Sequence, residues 1–305
     1  MQLRPIPHTD LKVSTLCLGT MTFGTPVGEA DAVRLTHAAL ERGINFVDTA
    51  NMYEGYARFV GSPGGVAEAI LAKALKGWRQ QVVLATKVGM KIGPADDDQG
   101  LSPAHIRREL DRSLQRLECE YIDLFYMHKP DPGVPPAESA GAFDGLVKAG
   151  KARAWGVSNF SAAQVAELLA TCDGNGLRRP VAVQPAYSLL NRAVEADLLP
   201  LCAREGLAVV PYRVLEGGML TGKYRRGQAP PEGSRQLEKP EWTLASTDDT
   251  FDRLEAIEAE ARARGRGLRS HALLSLLEQP AVVSLIVGLK RIEQLDELIA
   301  ALEAG

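Results

Sequence analysis

Eight short β-type runs, with helical periodicity in most of the intervals between them, set the rhythm of this chain. They are Thr15 to Gly19, Ile44 to Thr49, Val82 to Lys87, Ile122 to His128, Ala154 to Ser158, Val181 to Gln184, Ala208 to Tyr212 and Ser284 to Val287. Strands alternating with helices predict a parallel sheet, and eight is the number that closes a barrel, so the expected fold class is α/β, a (β/α)8 TIM barrel. Ile44 to Val47 is short, β-branched and preceded by Gly43, which reads as a strand covered on both faces rather than as a helix. Two short alternating pieces around Pro7-His-Thr-Asp10 predict an N-terminal β-hairpin covering one end of the barrel. No composition shift marks a linker, so one domain is expected over residues 1–305.

The helical intervals carry their own start signals. Ser102-Pro103 places a cap residue before a proline at the first helical position, with Ile106, Leu110, Leu114 and Leu117 on one face. Ser161-Ala-Ala-Gln164 matches the reciprocal capping box and leads into Val165, Leu168 and Leu169. Leu289 to Leu302 predicts a last helix with Ile292, Leu295, Leu298 and Ile299 facing inward. Two connections are long, Val88 to Leu101 after the third run and Glu216 to Asp249 after the seventh, and long loops in compact folds are usually functional.

Composition then removes several classes of function. A net charge of −3 and a pI near 6.0 lack the basic surface that phosphate backbones require, so no nucleic-acid partner is expected. No apolar run approaches the ~20 residues needed to cross a bilayer, which predicts no membrane partner. The first residues, Met1-Gln-Leu-Arg-Pro-Ile-Pro, lack the basic-then-apolar pattern of a signal peptide, and a cytoplasmic location is expected. Cys17, Cys119, Cys172 and Cys202 are widely spaced, which predicts free thiols, no disulfide framework and no metal site.

The candidate chemistry lies where the runs end. The second delivers Asp48 and then Tyr53, the third ends at Lys87, and the fourth ends at His128. In a parallel barrel these ends share one face, where active sites are built. An ammonium beside a phenol stabilises phenolate and draws a tyrosine pKa down from about 10, so the four residues predict a proton-donating site in which Asp48 holds Lys87 charged. Met21, Phe23, Met52 and Tyr126 are candidate wall residues around the substrate, beside Tyr53 and His128.

With those residues in view, the chain resembles the aldo-keto reductase family over nearly its whole length. The resemblance is carried by Gly43-Ile-Asn-Phe-Val-Asp48-Thr-Ala-Asn-Met-Tyr53, Thr86-Lys87, Asp123-Leu-Phe-Tyr-Met-His128, Gly156-Val-Ser-Asn-Phe160, Val183-Gln184-Pro185 with Tyr187, and Gly217-Gly-Met-Leu-Thr-Gly-Lys-Tyr224. It implies a catalytic tetrad of Asp48, Tyr53, Lys87 and His128. It also implies a nicotinamide cofactor, NADPH rather than NADH, with Ser158, Asn159 and Gln184 bonding the carboxamide and Tyr212 stacking on the ring. Thr20, Met21 and Asp48 would complete that end. Arg213, Leu215, Gly217 and Lys223 would follow the pyrophosphate, and Arg235, Gly288, Lys290, Arg291, Gln294 and Glu297 would hold the adenosine half.

The sequence also departs from the family pattern. Tyr212-Arg213-Val214-Leu215 stands where many members have an aromatic followed by Ser-Pro-Leu, and Glu216 takes a place usually small. Opposite charges at Arg213 and Glu216 predict compensation, with Arg213 between the carboxylate and the pyrophosphate. Leu289 and Leu298 replace polar groups near the cofactor, and the short chain end after the last helix predicts an open substrate pocket. The function this implies is reduction of an aldehyde or ketone by hydride transfer with Tyr53 as general acid, the reverse oxidation being equally allowed. The alternative is a redox-sensing, cofactor-binding subunit with slow or no turnover, as potassium-channel β subunits are. A monomer and a homo-oligomer are both compatible with the sequence.

Overall fold

The structure, a computed structural model, describes residues 1–304. The chain opens with an antiparallel hairpin, β1 (Leu3–Pro5) and β2 (Lys12–Ser14), in which Leu3 lies opposite Ser14. Ile6, Leu11 and Val13 of this hairpin are buried against Cys17, Phe46, Val83 and Leu124, so it plugs the barrel at the amino ends of the strands.

Eight parallel strands follow: β3 (Leu16–Gly19), β4 (Phe46–Asp48), β5 (Val83–Val88), β6 (Ile122–Met127), β7 (Ala152–Ser158), β8 (Ala182–Gln184), β9 (Ala208–Val209) and β10 (Leu285–Gly288). They run in the order β10-β3-β4-β5-β6-β7-β8-β9. The ring closes through Val209 N to Ala281 O at 2.7 Å, Val283 N to Val209 O at 3.0 Å and Ile286 N to Pro211 O at 2.9 Å. The fold is the expected (β/α)8 barrel. The seventh run is shorter as a strand than Ala208 to Tyr212, because Pro211 has no N–H to continue the ladder.

The helices α1 (Glu29–Glu41), α2 (Val66–Ala74), α3 (Pro103–Arg116), α4 (Pro136–Lys148), α5 (Ala162–Gly174), α6 (Leu198–Glu205), α7 (Arg235–Glu238), α8 (Asp248–Ala263), α9 (Leu268–Leu277) and α10 (Ile292–Glu303) follow the strands. Ser102 caps α3 by accepting from His105 N at 3.2 Å, and the capping box at Ser161 and Gln164 is present with both of its bonds. The last helix starts at Ile292, three residues later than the periodicity predicts. Arg291 is extended there, at φ −146° and ψ 154°, and Leu289 is buried, so this stretch continues from the strand end before the helix begins.

The apolar residues divide into two layers. One fills the space between strands and helices, where Phe125 stacks on Phe143 at 4.8 Å and Phe143 meets Trp155 at 5.3 Å. The other fills the barrel interior and ends beneath the polar groups at the carboxyl face. The long connection after β9 is not structureless: it contains tight turns at Glu216–Thr221 and Pro240–Trp242 as well as α7. Among the described residues no helix is long and apolar enough to cross a membrane.

Candidate active site

Asp48 closes β4, Lys87 is the penultimate residue of β5, and His128 directly follows β6. Tyr53 comes from the loop after β4, where its N–H donates to Ala50 O at 3.1 Å and its carbonyl accepts from Ala67 N at 3.0 Å. Lys87 is fully buried and uses its three donors on Asp48 Oδ1, Thr49 O at 2.9 Å and the Tyr53 hydroxyl at 3.3 Å. Asp48 Oδ2 accepts from Gln184 Nε2 at 2.9 Å. A buried ion pair survives only when its remaining hydrogen-bonding positions are filled, and here they are. The rings of Tyr53 and His128 meet edge to face with centroids 5.9 Å apart.

The electrostatics differ in one respect from the sequence expectation. Burial pushes the Tyr53 phenol above its ordinary value; Lys87 pulls the other way without overcoming it. Tyr53 is therefore a protonated donor at neutral pH, and Lys87 limits how far burial weakens it as an acid. Burial also works against the Lys87 ammonium, yet Asp48 and Tyr53 together raise its pKa. His128 is held well below its ordinary value, first by burial and then by Lys87, Arg58 and Lys129, so its imidazole is neutral. Its Nδ1 is buried without a hydrogen-bond partner.

Beside this centre, Ser158 Oγ donates to Gln184 O at 2.9 Å, and Asn159 Nδ2 donates to His128 O at 2.8 Å. Asn159 sits at φ 63°, an uncommon conformation for a side chain, and its Oδ1 accepts from the Tyr212 hydroxyl at 2.7 Å. Thr20 Oγ1 donates to Asp48 O at 3.0 Å.

A cavity of about 720 Å³ opens from these groups across the barrel face. Its wall includes Thr20, Met21, Asp48, Ser158, Asn159, Gln184, Tyr212, Arg213, Leu215, Gly217, Lys223, Arg235, Gly288, Lys290, Arg291, Gln294 and Glu297, together with Met52, Tyr53 and His128. Sequence separations of up to 277 residues, from Thr20 to Glu297, are thus brought to one surface. Lys87 lies behind that wall and is bonded to Asp48 and Tyr53 on it. The far end of the cavity is cationic. The Lys223 ammonium is held below its ordinary value by partial burial and then by Lys290 and Arg235 beside it, with Glu238, which pairs with Lys290, opposing them.

Two wall candidates fall elsewhere. Phe23 is fully buried in the layer between strands and helices. Tyr126 is fully buried inside the barrel, where its ring occupies the space a side chain at Gly156 would need, 2.6 Å from an ideal Cβ. Both are packing residues. The Arg213 and Glu216 pair is also arranged differently from the expectation. Their charged groups approach to 3.4 Å, but Glu216 is buried and accepts from Ser188 Oγ at 2.8 Å, while Arg213 donates to the Trp242 carbonyl. Glu216 is absent from the cavity wall, so Arg213 ties two parts of the long connection together instead of screening a carboxylate from the cavity.

Several wall residues were given no site role in the sequence reading, among them Met90, Trp242 and Arg269. Trp242, a large aromatic in a proline-rich loop, carried a signal. Arg269 carried none, since it looks like any solvated residue of α9; in the structure it pairs with Glu297 at 3.0 Å.

Fold and site together define a TIM-barrel protein with a buried Asp48, Lys87 and Tyr53 cluster and a long cleft on its carboxyl face. Comparison with known proteins gives the family: the aldo/keto reductase family model matches residues 15–304, and the chain belongs to this family of oxidoreductases. It is 32% identical over 311 residues to a probable voltage-gated potassium channel subunit beta of Arabidopsis thaliana, covering 99% of this chain and 92% of the relative. It is 36% identical over 313 residues to the uncharacterized oxidoreductase YrpG of Bacillus subtilis (strain 168), covering 99% and 91%. Among solved structures, the aldo-keto reductase AKR11C1 from Bacillus halodurans (holo form) superposes with a TM-score of 0.81 at 30% identity, covering 100% of this chain and 92% of that one.

Proposed function

We propose that this protein reduces an aldehyde or ketone with NADPH, Tyr53 delivering the proton to the carbonyl oxygen. The observation that carries this reading is the Tyr53 hydroxyl on the cavity wall with Lys87 Nζ 3.3 Å behind it and Asp48 fixing that lysine. The chemistry of the wall fits a nicotinamide dinucleotide: amide and hydroxyl groups of Ser158, Asn159 and Gln184 lie at one end and a cluster of cations at the other. When bound, the reduced nicotinamide supplies the hydride.

The chain's own residues do the rest. Charge that grows on the carbonyl oxygen is best stabilised by donors already aimed at it. Tyr53 is one such donor, and the neutral His128 is a second when its outward nitrogen carries the proton. As the Tyr53 proton moves to oxygen, the phenolate left behind is stabilised by Lys87, whose charge Asp48 maintains. The same groups run alcohol oxidation in reverse, with Tyr53 accepting the proton. Arg291 at the cationic end, beside Lys290 that pairs with Glu238, favours a cofactor with the additional phosphate, which supports NADPH over NADH.

A second reading, a cofactor-binding sensor subunit with slow turnover, is favoured by the similarity to a potassium channel subunit beta. Steady-state turnover over a panel of aldehydes, ketones and sugars, followed by NADPH absorbance, separates the two. Tyr53→Phe tests the mechanism: it should bind NADPH normally yet lose ~10²- to 10⁴-fold in kcat, and retention of a tenth of the activity would overturn Tyr53 as the acid.

A further inference from the structure

Behind the tetrad lie two buried carboxylates that the proton chemistry does not use. Glu109 of α3 and Glu68 of α2 are both fully buried. Glu109 accepts from Arg112 at 2.7 Å and from Asn51 Nδ2 at 3.3 Å. Glu68 accepts from Arg116 at 2.6 Å and from Thr86 Oγ1 at 2.7 Å. Each carboxylate therefore stands between an arginine of α3 and a polar side chain at the barrel mouth. Those two side chains flank the reactive pair: Asn51 is two residues before Tyr53, and Thr86 immediately precedes Lys87.

The segment from Asn51 to Tyr53 is held from several sides. The Asn51 N–H donates to Lys87 O at 3.2 Å, and the Gly64 backbone packs so closely that an ideal Cβ there would stand 2.2 Å from Asn51 O. Gly65 leaves room in the same way for the Arg116 side chain, whose Cδ would stand 2.4 Å from a Cβ. Burying two carboxylates costs more than apolar packing of the same volume would, so stability alone is a poor account of them. What they do supply is directional contact, from the two packed helices α2 and α3, to the neighbours of both Tyr53 and Lys87.

We propose that Asn51 with Glu109, and Thr86 with Glu68, are positioning residues that set the separation between the Tyr53 hydroxyl and the Lys87 ammonium. The inference rests on Tyr53 being the proton donor. Misplacement of a catalytic group by about 1 Å can cost about 10²-fold in rate, so small slack in this loop is sufficient to matter.

The test uses Asn51→Ala, Thr86→Val and Glu109→Gln in the full chain, with Tyr53→Phe as reference. Asn51→Ala leaves Glu109 paired with its arginine, and Thr86→Val keeps the shape of the side chain. Each should lower kcat about tenfold or more while the dissociation constant for NADPH, read by tryptophan fluorescence, stays within about twofold. The signature that a merely structural role would not give is in the pH profile of kcat for reduction. The titratable groups facing the Tyr53 hydroxyl are Asp48, Lys87, His128 and Tyr212. A phenol farther from Lys87 is a weaker acid, so the alkaline limb should move to higher pH. If kcat is unchanged, or falls only with the folded fraction while the limb stays in place, the positioning role is wrong. If Asn51→Ala does not fold, Thr86→Val and Glu109→Gln decide by the same readings. Full activity in Tyr53→Phe would instead overturn the proton-donor reading beneath it.

Discussion

The two ends of the barrel are built from the same strands and put to opposite uses. At the amino end, Ile6, Leu11 and Val13 of the hairpin close over Cys17, Phe46 and Leu124, and the one buried carboxylate near the start of β6, Asp123, is paired with Arg79 and Arg153 outside this plug. At the carboxyl end, Asp48, two residues beyond Phe46, and Lys87, four beyond Val83, are buried together, and Asn159, Arg213 and Glu216 in the loops that follow the strands adopt positive φ. Apolar burial is non-directional and tolerates small shifts, whereas buried charge is stabilised only by particular partners at particular distances. Fold and chemistry therefore separate along each strand. The apolar plug stabilises the barrel, and the polar face uses part of that stability to hold groups that would otherwise not stay buried.

The sharpest way to break this contrast is Lys87→Met. It should lower kcat by ~10²- to 10⁴-fold, since Tyr53 loses the charge that supports its phenolate. It should also destabilise the fold, because Asp48 would be left buried and unpaired. Adding Asp48→Asn should recover thermal stability in calorimetry without recovering turnover. Recovery of turnover in the double variant would mean that the ion pair serves only the fold.

Ile6→Ala addresses the other end. Removing a buried Ile side chain costs about 2–5 kcal/mol, read as a lower denaturation midpoint, while kcat measured below that midpoint should stay near the original value. A fall in kcat without loss of stability would show that the plug reaches the site.

A third, smaller effect concerns the cationic end of the cavity. Lys223→Ala should weaken NADPH binding by about tenfold, the scale of one charge-assisted contact, and reduce its sensitivity to salt. An unchanged dissociation constant at low and high salt would remove Lys223 from the cofactor site. The smallest effect is on the pH dependence of stability. His128 has a folded pKa well below its ordinary value of about 6.5, so its contribution is complete above that value and declines as pH falls beneath it. His128→Gln should therefore lose less stability than the original protein between pH 7.5 and 5, as measured by thermal melts.

The barrel itself was legible along the chain, as were the hairpin and the caps at Ser102 and Ser161. These depend on local periodicity and on side chains satisfying nearby backbone groups, both of which are written within a few residues. The gathering of Asp48, Lys87 and His128 on one face was legible for a related reason: a polar residue closing an apolar strand has few other places to point in a parallel barrel. The start of the last helix was not, because Leu289 is drawn into the core and Arg291 is extended, which periodicity alone does not show.

What only the tertiary structure decided is which partners the polar groups find. Phe23 and Tyr126 are apolar enough for either a pocket wall or a core, and packing placed both in the core. Glu216 turns inward to Ser188, leaving Arg213 to hold the Trp242 carbonyl. The direction of the Tyr53 shift follows from how much burial opposes Lys87, a balance set by the surroundings of both groups. No role was read for Asn51, Thr86, Glu68 and Glu109 in the sequence, and they became two linked contacts only when α2 and α3 packed against the barrel. Periodicity and capping are local properties of a chain, so the sequence by itself determined the elements and their order. Burial and charge pairing depend on residues far apart in the chain, so the geometry of the site was settled only by the fold.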